Sequence, residues 1–367
     1  MLVYLGIMLV AILLGTWYQK SKSKLITREI AFFLSFLTLF LFAGLRYKVG
    51  YDYGYTYLPG YYNIANGGNS RFEVLFVLLN KFVFYVFNNV DYLFIICSLI
   101  SIGLIYLIIK KESADIGISL LMLFVTKYYF YTFSQIRQYI AIAMFIYSIR
   151  YIIERKPVKY YILMLIAFGF HKTAIIYFPM YFIKNFKLTK KKYVMIMMGA
   201  ILLTPIVKLI YQVIGSKFYG AYIEENYGVG NSSIVMVVTG IFLTIVPLIF
   251  YEKLNKCDKN NILLNLQLAF WIFLVTLSDI NESYRIVGMF MYSSILLIPE
   301  CYSLASKKQK RIILIILCGI AVLSTYYLLN YKGSTMIPYR TIFNKEWKQK
   351  GVCGSIIYEL KKPHKEI

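Results

Sequence analysis

Three arginines and a histidine stand at the ends or breaks of long apolar runs, and their surroundings define the chemistry open to this chain. Arg46 opens the stretch Arg46-Tyr47-Lys48-Val49-Gly50-Tyr51-Asp52-Tyr53, directly after the apolar run 30–45. Arg137 and Gln138 head an otherwise apolar run over 139–147, with Ala141 and Ala143 leaving room beside them. His171 sits in Gly169-Phe170-His171-Lys172-Thr173, a break in a further apolar stretch, and Arg285 begins another helix after Asp279 and Glu282. A guanidinium entering a membrane helix is costly unless it meets an anion, and its planar fork suits phosphate or carboxylate. Three such cations around one pocket point to a polyanionic ligand. In the first stretch Arg46 or Lys48 is placed to hold phosphate oxygens, and Tyr51 and Tyr53 to stack on sugar faces. Asp52 would serve as acceptor or general base for a sugar hydroxyl. Each feature also has a plainer reading. The tyrosines could form an interfacial aromatic belt, Arg137 could pair with Glu73 or Asp52, and Arg285 could pair with Glu282 or Asp279. His171 could be a hydrogen-bonded structural residue, a proton acceptor, or a phosphate ligand with Lys172 beside it.

The elements that carry these residues are membrane helices. Hydrophobic residues make up 59% of the 367, in apolar runs of roughly 16 to 22 residues recurring along the chain. That excludes a water-soluble globule. Net charge is +23, from 40 Lys+Arg against 17 Asp+Glu, but the cations cluster in short loops at 20–28, 150–159, 184–192 and 307–311. Such loops are expected on the cytoplasmic side, facing anionic headgroups, and no nucleic-acid surface is expected. Five scattered cysteines and two histidines offer no metal-ligand spacing, so neither metal nor cofactor is expected. The first apolar segment lacks a basic leader and a small-residue cleavage site, and is read as a retained span.

The expected fold is all-α, a polytopic bundle of about 11 to 13 membrane segments. Residues 1–330 form one integral membrane domain, and 331–367 form a polar tail. Loops 46–71, 215–231 and 278–285 face outward. The stretch 160–183 is flanked by basic residues on both sides, which requires two half-helices turning around His171. Pro338-Tyr339-Arg340 either folds back onto the outer face or marks the end of the bundle. One inconsistency follows from counting spans. Three candidate spans separate the basic loop at 20–28 from Lys110 and Lys111, which would place the two on opposite sides. A dip of the aromatic loop 51–66 back into the bilayer, or an outward-facing Lys110 and Lys111, would remove the conflict; the favoured resolution is an incomplete crossing by residues 72–87, which include Glu73, Asn80 and Lys81.

At these residues the chain resembles the EpsG family of Wzy-like polysaccharide polymerases. The likeness rests on residues 46–53, on Arg71-Phe72-Glu73, on Ile136-Arg137-Gln138 with Ala141, on Phe170-His171-Lys172-Thr173-Ala174 with Pro179 and Tyr181, and on Tyr284-Arg285. Lys172 departs from it, since a small polar residue is expected there. The resemblance implies a membrane glycosyltransferase, inverting and metal-independent. It would polymerise undecaprenyl-pyrophosphate-linked repeat units into exopolysaccharide or capsule at the outer face of a bacterial cytoplasmic membrane, with a flippase and a chain-length regulator as partners. Catalytic roles then fall to Asp52, His171 and Arg137. Substrate binding falls to Arg46, Lys48, Tyr51, Tyr53, Glu73, Gln138, Lys172 and Arg285. The alternative is a flippase for lipid-linked oligosaccharide, although the inverted repeats and mid-membrane cations expected of one are not visible in the chain.

Overall fold

The computed structural model describes residues 1–21, 24–207, 209, 234–277, 284–330 and 334–344. Among them the one β contact is an isolated antiparallel bridge between Arg46 and Thr341, and the rest is helix and connecting chain. In order these are α1 (Leu2–Lys20), α2 (Leu25–Gly44), a five-residue π-helix (Tyr53–Tyr57), α3 (Leu58–Ala65), α4 (Val74–Phe87), α5 (Asp91–Glu112), α6 (Ile116–Val125), α7 (Tyr128–Tyr131), α8 (Ile136–Ile153) and α9 (Pro157–Phe170). A 3-10 helix (Lys172–Asn185) follows, then α10 (Lys190–Leu202), α11 (Ile234–Ile249), α12 (Tyr251–Leu254), α13 (Asp258–Leu277), α14 (Tyr284–Met291), α15 (Ser294–Leu304) and α16 (Lys307–Asn330). Seven segments are long and apolar enough to cross a bilayer, with α14 and α15 together forming one of them. Four shorter apolar helices, α4, α6, α9 and α11, accompany them. The chain is thus a polytopic all-α membrane protein.

Ion pairs gather the basic loops at one end of the bundle. Lys110 at the end of α5 meets Glu29 in α2 at 2.6 Å, and Lys111 pairs with Glu154 after α8. Asp258 at the start of α13 receives Arg155 and Lys187, while Lys259 reaches Glu300 in α15 at 2.6 Å and the Glu112 carbonyl at 3.0 Å. These contacts tie the α1–α2, α5–α6, α8–α9, 3-10–α10, α12–α13 and α15–α16 connections into a single charged layer. Lys20–Arg28 and Lys110–Lys111 therefore lie at the same end.

The crossing count closes because α4 starts and finishes at the opposite end. Glu73, its N-cap, meets Arg137 in the first turn of α8. Its C-cap Asn88, in the left-handed region at φ 47°, hands the chain to Asp91 at the start of α5. With 14 residues and a length of about 21 Å, α4 is too short for a hydrocarbon core of about 30 Å. In a protein that keeps Cys257 as its one native cysteine, Asn69→Cys and Asn89→Cys should both react with a membrane-impermeant maleimide from one side, and Cys257 from the other. Labelling of the two introduced thiols from opposite sides would contradict this placement.

The expected break around His171 is present. α9 ends at Phe170, and the 3-10 helix returns beside it, with the Tyr160 hydroxyl donating to the Tyr177 carbonyl at 2.6 Å and the Tyr160 and Tyr181 rings 5.3 Å apart. A 3-10 helix rises about 2 Å per residue, so its 14 residues reach most of the way across the core. Two apolar runs long enough to span are interrupted. The run 116–133 breaks at Thr126-Lys127, where Lys127 takes φ 60°, and the run 286–302 breaks at Tyr292-Ser293. Non-helical backbone at membrane depth must be buried in protein with its polar groups satisfied. At the first break the Thr126 and Lys127 amides accordingly donate to the Met122 and Phe124 carbonyls, each at 3.0 Å; at the second the Ser293 amide donates to the Phe290 carbonyl at 3.2 Å and the Tyr177 hydroxyl to the Met289 carbonyl at 3.1 Å. Pro299 removes an amide from α15 and so frees the Ile295 carbonyl, which the Ser119 hydroxyl satisfies at 2.7 Å.

After α16 the chain folds back as a strap at the end opposite the basic layer. The Tyr4 hydroxyl donates to the Met336 carbonyl, Tyr339 stacks on Phe42 with ring centroids 3.7 Å apart, and Tyr47 and Ile342 pair with Arg340 and Leu45 through the backbone.

Candidate active site

Four helix beginnings meet at this end of the bundle. Glu73 caps α4, Arg137 and Gln138 lie in the first turn of α8, His171 caps the 3-10 helix, and Arg285 is the second residue of α14. Helix N-termini carry unsatisfied N–H groups and partial positive charge, so their convergence favours an anion even before side chains are counted. Glu73 supplies one here. Its carboxylate pairs through Oε2 with the Arg137 guanidinium. Through Oε1 it accepts from His171 Nδ1 at 3.0 Å and from the Lys172 backbone N–H at 3.2 Å. The three side chains retain 15 to 17% exposure, so the cluster is shielded without being sealed.

The packing around Arg137 orients its fork. The guanidinium carbon lies 4.6 Å from the Phe72 ring centroid and 5.8 Å from that of Phe76, cation–aromatic contacts that a lysine would reproduce poorly. The Tyr57 hydroxyl stands beside the same guanidinium, with Asp52 close enough to act on Tyr57 electrostatically. Gln138 is buried and donates to the Arg285 carbonyl at 3.1 Å. Arg285 itself is near enough for its charge to act on His171.

Charge states follow from these neighbours. Burial works against ionisation of Glu73, but the His171 hydrogen bond and the Arg137 charge outweigh it and draw the carboxyl down to about 2. Burial lowers the His171 imidazole below its ordinary value, opposed by the Glu73 hydrogen bond and charge and assisted by Arg137 and Arg285. An ionised Glu73 can only accept, so the tautomer that satisfies it carries its proton on Nδ1. That leaves the Nε2 lone pair of a neutral imidazole available to take a proton.

The structure therefore joins Arg137, His171, Lys172, Glu73 and Arg285 around one point, with Gln138 as a brace and Asp52 nearby. Of the two carboxylates considered for Arg137, Glu73 is the one in contact. Asp279 and Glu282, considered for Arg285, lie outside the described residues, as does loop 215–231. Arg46 sits elsewhere, fully buried. Its guanidinium donates to the carbonyls of Ala43 and Phe133 and to the Ser98 hydroxyl, between the rings of Phe94 and Phe133, each 5.1 Å away. None of these partners belongs to the Glu73 cluster. Arg46 thus pins the end of α2 to α5 and to the turn before α8. Replacing it with leucine should lower the thermal unfolding midpoint in detergent, at a cost of roughly 3 kcal/mol, because charged hydrogen bonds are lost and acceptors are left unpaired. Tyr53 is buried as well, stacked on Phe94 at 4.0 Å. Lys48 is exposed, with its ammonium 5.4 Å from the Tyr47 ring.

Sequence reasoning missed Tyr57, Phe72 and Phe76 as the setting of Arg137. Their spacing is that of ordinary core residues and carries no signal of this role. Among the described residues no group of three His, Cys, Asp or Glu side chains is placed to hold a metal ion. No curated protein and no solved structure matches the chain. The model of the EpsG family matches residues 29–341, a stretch that runs from α2 into the strap and contains every residue of this cluster, and the chain belongs to the EpsG family.

Proposed function

We propose that the chain is a membrane glycosyltransferase that polymerises undecaprenyl-pyrophosphate-linked oligosaccharide repeat units into exopolysaccharide or capsule. The observation that carries this reading is the meeting of four helix N-termini with Arg137, Arg285 and a histidine–carboxylate pair at one point. The positive-inside bias assigns the basic layer to the cytoplasm, so the site faces outward from a bacterial cytoplasmic membrane. A flippase would deliver the units, and a chain-length regulator would be a natural partner.

In this reaction a hydroxyl of the incoming unit attacks the anomeric carbon of the growing chain, and the bond from that carbon to the pyrophosphate oxygen breaks. His171 Nε2 takes the hydroxyl proton while Glu73 holds Nδ1–H and steadies the ring. Arg137 and Arg285 stabilise the charge that builds on the departing pyrophosphate. One displacement inverts the anomeric centre. Asp52, next to Tyr57, is the second candidate for the base. Lys172, whose backbone N–H holds Glu73, is exposed and contributes its ammonium to substrate binding.

The test uses purified protein in liposomes with lipid-linked repeat units and no flippase. Elongated glycan is the expected product. Movement of the lipid across the bilayer without elongation would instead support transport.

A further inference from the structure

Four tyrosines alternate at positions 51, 53, 55 and 57, and helical backbone from Tyr51 through the π-helical turn puts the i, i+4 pairs on two faces. Tyr53 and Tyr57 are buried, the first on Phe94 and the second beside Arg137. Tyr51 and Tyr55 point away from the core at 58% and 62% exposure, with their rings stacked 5.2 Å apart at 29°. Gly54, between them, has open space where a side chain would stand. Short π-helical turns inside helices occur often at functional sites. This one is held in place from below. The Tyr51 N–H donates to the Ser134 hydroxyl at 3.1 Å, and Gly50, at φ 101°, lets the loop run against the Phe133 carbonyl where any Cβ would collide. Ser134 lies three residues before Arg137. The exposed rings are therefore built onto the segment that carries the catalytic cluster, and Asp52 sits between them in sequence.

We infer that the stacked Tyr51–Tyr55 pair is a saccharide platform, which seats the glycan portion of the substrate beside the pyrophosphate site. This rests on the polymerase reading and adds to it the place of the sugar. A sugar presents C–H groups on a ring face and hydroxyls around its edge. A stacked pair of aromatic rings meets the C–H face, their hydroxyls reach the edge, and the rings lose little side-chain entropy on binding. An aromatic belt at the membrane boundary would use the same residues, but it would tolerate any large apolar side chain. The saccharide reading requires rings.

The discriminating probe is the repeat-unit oligosaccharide released by mild acid from the lipid-linked pool of cells lacking this chain. It carries no pyrophosphate. Its binding to detergent-purified protein, followed by saturation-transfer NMR, is expected for the wild type and for Tyr51→Phe/Tyr55→Phe. Roughly 10-fold weaker binding is expected for Tyr51→Leu/Tyr55→Leu, as for loss of an aromatic anchor. Both rings are exposed, so the leucine variant removes no buried packing, and the single Tyr55→Leu variant provides a second readout. Equal affinity in the leucine and phenylalanine variants would overturn the inference, as would absence of wild-type binding. Arg137→Ala should keep oligosaccharide binding while losing elongation, so failure of the platform and failure of the polymerase reading give different results.

Discussion

Arg137→Ala is expected to reduce glycan elongation by about 100- to 1,000-fold, a loss of about 2.7 to 4 kcal/mol of transition-state stabilisation, while the protein remains folded in the membrane. The guanidinium is aimed by Phe72 and Phe76 and lies at the start of α8, where helix polarity adds to its charge. In the absence of substrate it is occupied by Glu73, so an arriving pyrophosphate either shares or displaces that carboxylate. Arg137→Lys should recover little, because a point charge replaces a planar fork packed against aromatic rings. A purely structural Arg137–Glu73 pair makes a different forecast. Arg137→Ala and Glu73→Gln would then lower the unfolding midpoint alike and leave elongation per folded molecule near wild type. Elongation by folded Arg137→Ala within about threefold of wild type would reject the pyrophosphate role.

The pH profile of elongation should show an acid limb below the ordinary histidine value of about 6.5, and His171→Ala should abolish that limb while cutting the rate by about 100- to 10,000-fold. The sign follows from the required state. The base must be neutral, burial together with Arg137 and Arg285 depresses the His171 pKa, and activity is lost only as pH falls through that lowered value. Glu73 pulls the other way, since its charge and hydrogen bond favour the imidazolium. Glu73→Gln should therefore move the limb to still lower pH. It should also slow the reaction, because an amide that can donate no longer dictates which ring nitrogen carries the proton. If Asp52 is the base instead, the limb survives in His171→Ala and disappears in Asp52→Asn.

The same cluster bears on the choice among function classes. A transporter needs cations that follow the substrate across the membrane, whereas Arg137, His171 and Arg285 gather at one end of the bundle, opposite the basic layer. In the proposed reaction the histidine–carboxylate pair moves a proton, a step that transport does not need. Membership of the EpsG family agrees with a polysaccharide polymerase-type membrane protein.

Much of the architecture was legible in local pattern, because each signal is paid for locally. Apolar runs of bilayer length, basic loops, the break between α9 and the 3-10 helix at His171, and the short reach of α4 follow from hydropathy, charge and residue count. Only packing could decide which distant partners meet. Arg137 had two carboxylates within reach of argument, and the fold selected Glu73, 64 residues away in sequence, because the first turns of α4 and α8 are brought together. Arg46 looked in sequence much like Arg137, yet it is enclosed by Ala43, Ser98 and Phe133. The tyrosines at 51, 53, 55 and 57 are indistinguishable as a string, and packing against Phe94 and Arg137 buries Tyr53 and Tyr57 while Tyr51 and Tyr55 stay exposed. Periodicity in a chain specifies what each segment is. Which side chains share a site depends on contacts between segments, and those arise only when the helices are packed.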